Sequence, residues 1–230
     1  MNKVRGLILT VAAAAVSGVT LVAPAVAQAA ACPDVQVVFA RGTGEPGGVG
    51  RVGDAFVNDL RSLVPGESVD VYAVNYPASY NFLRAAEGAN DASAFVQNTV
   101  ATCPDTKIVL GGFSQGAAVI DAIAIADHPQ LGFTNPMPPA VADHVAAVAV
   151  FGNPSIKLLG GPLTALSPGY GYKTIDLCNG ADPVCSSGDD RPAHSLYVES
   201  GLTTQAAQFV ANHLATEAPV STLASETTPN

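Results

Sequence analysis

The chain has 230 residues, 48% of them hydrophobic, 13% charged and 6% aromatic, with no Trp. That is enough apolar material for one buried core, and it excludes a wholly disordered chain. Ten Lys and Arg stand against 19 Asp and Glu, a formal net charge of -9. Two of the ten, Lys3 and Arg5, precede Cys32, so the remainder carries eight against 19, a net of -11. A surface that acidic repels phosphate backbones and anionic headgroups, which argues against nucleic acid as a partner and against electrostatic anchoring on a membrane.

Lys3 and Arg5 open the chain, an apolar Ala/Val/Leu run follows from Gly6 to about Val22, and the small residues Ala27-Gln28-Ala29-Ala30-Ala31 close it. This is the pattern of a secretory signal peptide over residues 1–31, cut between Ala29 and Cys32. An uncleaved membrane anchor is the competing reading, since the run is nearly long enough to span a bilayer. Ala-rich content and the small-residue end count against it. A lipid-modified Cys32 is disfavoured by Ala29, which stands where a larger aliphatic residue is usual. The protein is therefore expected to be secreted, or retained in the cell envelope.

Short Val- and Ile-rich runs then recur at Val35–Ala40, Val69–Asn75, Lys107–Gly112, Val145–Gly152 and Tyr172–Cys178. Near-continuous apolar runs are the mark of parallel strands buried on both faces. Between them, Gly50–Val64 spaces Val52, Phe56, Leu60 and Leu63 as one helical face, and Ala85–Ala101 does the same with Ala89, Ala92, Val96 and Val100. Gln115–Ala126 is a third helix, apolar nearly throughout, and Thr203–Thr216 a fourth. The alternation predicts an α/β fold, a three-layer α/β/α sandwich around a central, mainly parallel five-stranded sheet in one domain, residues 32–216. Asn153–Gly171 lacks periodicity and reads as a long connection, and 217–230, rich in Pro, Ser and Thr, as a disordered tail.

All four cysteines, Cys32, Cys103, Cys178 and Cys185, follow the leader, an even number suited to disulfides in an oxidising compartment. Three pairings are open; the sequence-local one joins Cys178 to Cys185 and Cys32 to Cys103. Zinc is disfavoured because no two cysteines stand two to four residues apart.

The chemistry centres on Gly112-Phe113-Ser114-Gln115-Gly116, a G-x-S-x-G between the strand ending at Gly112 and the helix starting at Gln115. A serine on such a sharp turn is exposed, its glycine neighbours let strand and helix approach, and the helix N-terminus aims free N–H groups at developing negative charge. A serine hydroxyl needs a base, and there are four histidines. His128 ends the nucleophile's own helix beside Pro129, His144 leads into a buried strand, and His213 sits within the last helix. His194, on a loop before that helix, is the candidate base. Asp182, inside Cys178-Asn179-Gly180-Ala181-Asp182-Pro183-Val184-Cys185, is the candidate acid, with Asp176 the fallback if that ring faces solvent. Oxyanion donors are expected from the Gln115 N–H and from Thr43 in Ala40-Arg41-Gly42-Thr43-Gly44-Glu45. No metal or organic cofactor is needed for this chemistry.

These segments, together with Val38-Phe39-Ala40-Arg41-Gly42-Thr43, Val74-Asn75-Tyr76-Pro77-Ala78 and Ala193-His194-Ser195-Leu196-Tyr197, carry a resemblance over nearly all of the mature chain. It resembles the cutinase-like serine esterases, in particular their bacterial secreted branch. The resemblance implies a lidless α/β-hydrolase with Ser114, Asp182 and His194 as triad, Thr43 and Gln115 as oxyanion hole, disulfides Cys32–Cys103 and Cys178–Cys185, and activity on small-molecule, lipid or polymer esters; a monomer is expected. One segment departs from it: Ser186-Ser187-Gly188-Asp189-Asp190-Arg191-Pro192 carries charges where fungal cutinases have an apolar flap. Charges there oppose burial of a long acyl chain, so short to medium acyl esters are expected. A polysaccharide acetyl esterase, a phospholipase, and a non-catalytic envelope protein on the same scaffold are the alternatives.

Overall fold

The computed structural model describes residues 32–216; the expected leader and tail lie outside them. The elements are β1 (Val35–Ala40), α1 (Gly50–Leu63), β2 (Val69–Ala73), α2 (Ala85–Thr102), β3 (Lys107–Phe113), α3 (Gln115–Ile125), β4 (Val145–Phe151), the single-turn α4 (Ser155–Leu158) and α5 (Leu163–Leu166), β5 (Thr174–Leu177) and α6 (Leu202–Thr216). The five strands form one sheet in the order β2-β1-β3-β4-β5, every neighbouring pair parallel.

Side chains alternate across each strand, so each strand feeds two cores. Val38, Ala40, Ile108, Leu110, Val148 and Val150 face α2 and α3, where Ala89, Ala92, Val96, Ala117, Ile120 and Ile123 meet them. Val37, Phe39, Val109, Ala147, Ala149 and Phe151 face the other way, onto Phe56 and Leu60 of α1 and Ala206, Ala207 and Val210 of α6. β1, β3 and β4 are buried on both faces, which explains their unbroken apolar sequence. The small residues of α6 let it lie close to the sheet.

Two strands are shorter than their apolar runs. β2 ends at Ala73 because the N–H of Asn75 donates to the Asp91 carboxylate (2.8 Å) instead of extending the ladder. β5 begins at Thr174 because Gly171–Lys173 form a 3-10 turn, with the Lys173 N–H donating to the Tyr170 carbonyl. The non-periodic stretch 153–171 holds α4 and α5, each too short to show a period.

Disulfides join Cys32 to Cys103 and Cys178 to Cys185. The first ties the chain ahead of β1 to the end of α2; the second closes the loop after β5. Among the described residues no helix is long and apolar enough to cross a membrane.

The chain leaves β1 for α1 on one face of the sheet and leaves β3 for α3 on the other, although β1 and β3 are neighbours. Such a reversal opens a crevice at the carboxyl ends of the two strands, the usual ligand position in open α/β sheets.

Candidate active site

Ser114 stands between β3 and α3 with φ 55°, a left-handed conformation that a non-glycine residue holds only under constraint. Its N–H donates to the Phe151 carbonyl of β4 (2.9 Å), and its own carbonyl accepts from Ala117 (2.9 Å) and Ala118 (3.3 Å). The two flanking glycines are sterically required. A Cβ on Gly116 would overlap the Ala40 carbonyl, and one on Gly112 would overlap the Gly116 carbonyl. The start of α3 is thus pressed against the end of β1, and its first amides, which have no partner in the helix, face the crevice.

His194 lies in a 3-10 turn, Arg191–Ser195, started by Asp190, whose carboxylate accepts the Ala193 N–H. Its Nε2 is 2.9 Å from Ser114 Oγ, and its Nδ1 is 2.7 Å from Asp182 Oδ2. The imidazole rests against Phe113, ring centres 4.9 Å apart. Gly152, at φ 57°, passes beneath it, and a Cβ there would come within 2.9 Å of the ring. The His194 side chain keeps 23% of its surface exposed, whereas Asp182 has none.

A carboxylate so buried needs donors on both oxygens. The Val184 N–H serves Oδ1 (2.8 Å), and the Tyr197 hydroxyl serves Oδ2 (2.7 Å). Tyr197 is itself wholly buried, and its hydroxyl also accepts the Asn179 N–H (3.1 Å). Burial first, then the hydrogen bond to Asp182, push the Tyr197 phenol far above its ordinary value, so it remains a donor. Asn179 spans the loop, its Nδ2 donating to the Ala193 carbonyl (2.7 Å). Asp182, Tyr197 and His194 therefore form one hydrogen-bonded unit beside the Cys178–Cys185 ring. Tyr197 lay in a segment singled out in the sequence, but nothing local to it foretold its partner.

The loop after β1 is braced from below. Arg41 donates to the Tyr76 carbonyl (2.6 Å) and the Glu45 carbonyl (3.0 Å), and the Tyr76 hydroxyl donates to the Arg41 carbonyl. Glu45 accepts the N–H groups of Gly42 (2.6 Å) and Arg51 (2.9 Å). Gln115 Nε2 donates to the Ser79 carbonyl (2.9 Å). Thr43, Glu45, Arg51, Phe113, Ser114 and His194 share a cavity of about 360 Å³ over the α1 side of the sheet.

The remaining candidates lie elsewhere. Asp176 is half-buried and accepts from Asn153 Nδ2 (3.2 Å) and the Leu163 N–H (3.0 Å), with no contact to His194. α3 stops at Ile125, so His128 lies beyond it and pairs with Asp127. His144 contacts the Pro104 carbonyl, and His213 the Phe209 carbonyl. The charged residues Asp189, Asp190 and Arg191 are exposed, and none of them lines the cavity that holds Ser114.

Comparison with known proteins places this geometry in context. The sequence model of the family described as Cutinase matches residues 31–214. The chain is 54% identical over 212 residues to a phospholipase, Culp4, of Mycobacterium tuberculosis, covering 91% of this chain and 92% of the relative. It is 53% identical over 194 residues to a carboxylesterase, Culp1, of Mycobacterium bovis, covering 82% and 85%. Among solved structures, a Trichoderma reesei cutinase in complex with a phosphonate inhibitor superposes with a TM-score of 0.65 at 32% identity, covering 80% of this chain and 77% of that one. The catalytic core of an acetyl xylan esterase from the same fungus gives 0.68 at 27% identity, covering 80% and 100%. A family match across most of the chain and relatives sharing half its residues lead to one conclusion: the chain belongs to the cutinase family.

Proposed function

We propose that this protein, a carboxylic ester hydrolase of the cutinase family, is exported and cleaves esters of short to medium acyl chains through Ser114, His194 and Asp182. The observation that carries the reading is the relay of contacts from Ser114 Oγ to His194 Nε2 (2.9 Å) and from His194 Nδ1 to Asp182 Oδ2 (2.7 Å). Ser114 Oγ attacks the ester carbonyl while His194 Nε2 takes its proton. Asp182 stabilises the imidazolium, and its own charge is held by Tyr197 and Val184. The oxyanion rests on the Gln115 N–H and on Thr43. The alcohol departs with the proton from His194, and a water activated by the same imidazole releases the acid. The exposed charges of Asp189, Asp190 and Arg191 support the limit on acyl length. The leader and the two disulfides support export.

The test is hydrolysis of nitrophenyl esters of graded acyl length by the mature protein and by Ser114→Ala. The expected result is an optimum at short or medium chains and no turnover by the variant. A rate rising into long chains under monomeric conditions would overturn the acyl limit. A folded but inert wild type that also fails to react with a serine-directed phosphonate would favour a non-catalytic envelope protein. A second reading, hydrolysis of phospholipids, draws on the name borne by the 54% identical relative; release of fatty acid from dispersed phospholipid, absent in Ser114→Ala, would favour it.

A further inference from the structure

A groove of about 280 Å³ runs over α3, on the opposite face of the sheet from the cavity that holds Ser114, and the two share no lining residue. Ala118 and Ala122 form its floor. Phe82, Leu83, Leu131 and Leu158 stand along its rim, each at least 63% exposed. So much exposed apolar surface around one depression marks a binding site on a soluble protein. The groove is too small for two chains: its volume equals the liquid share of about nine waters.

Two buried polar side chains lie in its wall. Asp121, 3% exposed on an otherwise apolar helix, takes a hydrogen bond on Oδ1 from Asn153 Nδ2 (3.0 Å), and that is the only one on its carboxyl among the described residues. Ser155, 1% exposed, has a hydroxyl with no partner among them. Neither belongs to the relay at Ser114. A buried hydroxyl without a partner costs stability unless something else satisfies it. An apolar trough with one donor-acceptor end fits an alkyl chain bearing a single neutral polar group.

We propose that this groove is a second ligand site, separate from the catalytic cavity, that seats one medium-length alkyl chain whose hydroxyl group pairs with Asp121 and Ser155. A hydroxyl both donates and accepts, as the two side chains require. Burial pushes the Asp121 carboxyl up to about 7, with the Asp176 carboxylate adding to the rise and Asn153 opposing it. Near neutrality a carboxylate head group would therefore face a partly ionised acid in an apolar trough, which disfavours it.

Calorimetric titration of the full mature chain with 1-butanol, 1-hexanol and 1-octanol tests the proposal. Affinity should rise about fourfold per methylene, as burial of alkyl surface predicts, with one site per chain. Ala122→Phe, which fills the groove, should weaken 1-octanol at least tenfold. Ala118→Leu does the same from the next turn and serves if the first variant fails to fold. Ser155→Ala should weaken 1-octanol several-fold yet leave hexane binding unchanged. Equal affinity for octane and 1-octanol, or tighter binding of octylammonium or octanoate, would overturn the proposal. So would 1-octanol binding that survives both groove variants but is lost when a phosphonate occupies Ser114.

Discussion

Replacing Tyr197 by Phe isolates one hydroxyl. The ring is wholly buried against Phe113, Phe151 and His194, and Phe keeps those contacts. What disappears is the donor to Asp182 Oδ2 (2.7 Å) and the acceptor of the Asn179 N–H (3.1 Å). A hydrogen bond to a buried charge contributes about 1.5–3 kcal/mol, and an amide left without a partner costs about 1–3 kcal/mol. Because Asp182 retains His194 and Val184, the expected loss is at the lower end of the combined range, about 3 kcal/mol, read from urea unfolding at constant m. Loss of a group that positions Asp182 against His194 should also lower kcat/KM about tenfold, equivalent to about 1.4 kcal/mol, with KM little changed. The pH dependence separates this from ordinary packing. A phenol raised in the folded state stabilises it fully below the unfolded value of 10.0, and that contribution is lost as pH rises beyond it. Wild type should therefore lose stability above pH 10 faster than Tyr197→Phe. A variant within about 0.5 kcal/mol of wild type, with unchanged kcat/KM, would refute the claim that this hydroxyl holds the acid in place.

Three further outcomes are expected. Ser114→Gly should raise the unfolding free energy by about 1 kcal/mol, because it relieves a φ of 55°, while nitrophenyl ester turnover disappears. Replacing Cys32 and Cys103 by Ser opens a separation of 71 residues and should cost about 4 kcal/mol, whereas replacing Cys178 and Cys185, separated by 7, should cost about 2 kcal/mol yet reduce activity more, because that ring flanks Asp182. Asp121 titrates at about 7 in the folded chain against an ordinary 3.8, so the folded state keeps a proton that the unfolded state has released. Its contribution to stability then falls as pH rises from 4 to 7, by at most about 4 kcal/mol, and Asp121→Asn should flatten denaturation curves taken across the range to the part left by Asp176, whose carboxyl burial also raises.

The parts legible in the sequence are those whose causes are local. Buried parallel strands need continuous apolar runs, so β1, β3 and β4 were visible as such. A serine forced into a left-handed turn needs small neighbours, so Gly112 and Gly116 marked Ser114. Asp182 was visible because a short cysteine ring encloses it. The partners that depend on remote chain segments were not. The link from Asp182 to Tyr197 crosses 15 residues, and no periodicity encodes it. Asp121 sits in a helix that reads as uniformly apolar, and only Asn153, 32 residues on, reveals what it is bonded to. The groove over α3 was equally hidden, since its walls come from the turn before α2, from α3 and from the single-turn α4.

The contact of Gly116 with the Ala40 carbonyl bears on how such a protein diversifies. With no space between the two backbones, the helix that follows Ser114 and the loop bearing Thr43 cannot shift relative to one another, and no side chain can be introduced between them. Variation in what the protein accepts must therefore enter from the periphery: the 79–84 turn, the 156–160 stretch and the 186–191 loop, where most side chains face solvent and backbone is free to lengthen. A rigid centre with permissive edges lets members of one architecture differ in substrate while sharing the same reacting atoms.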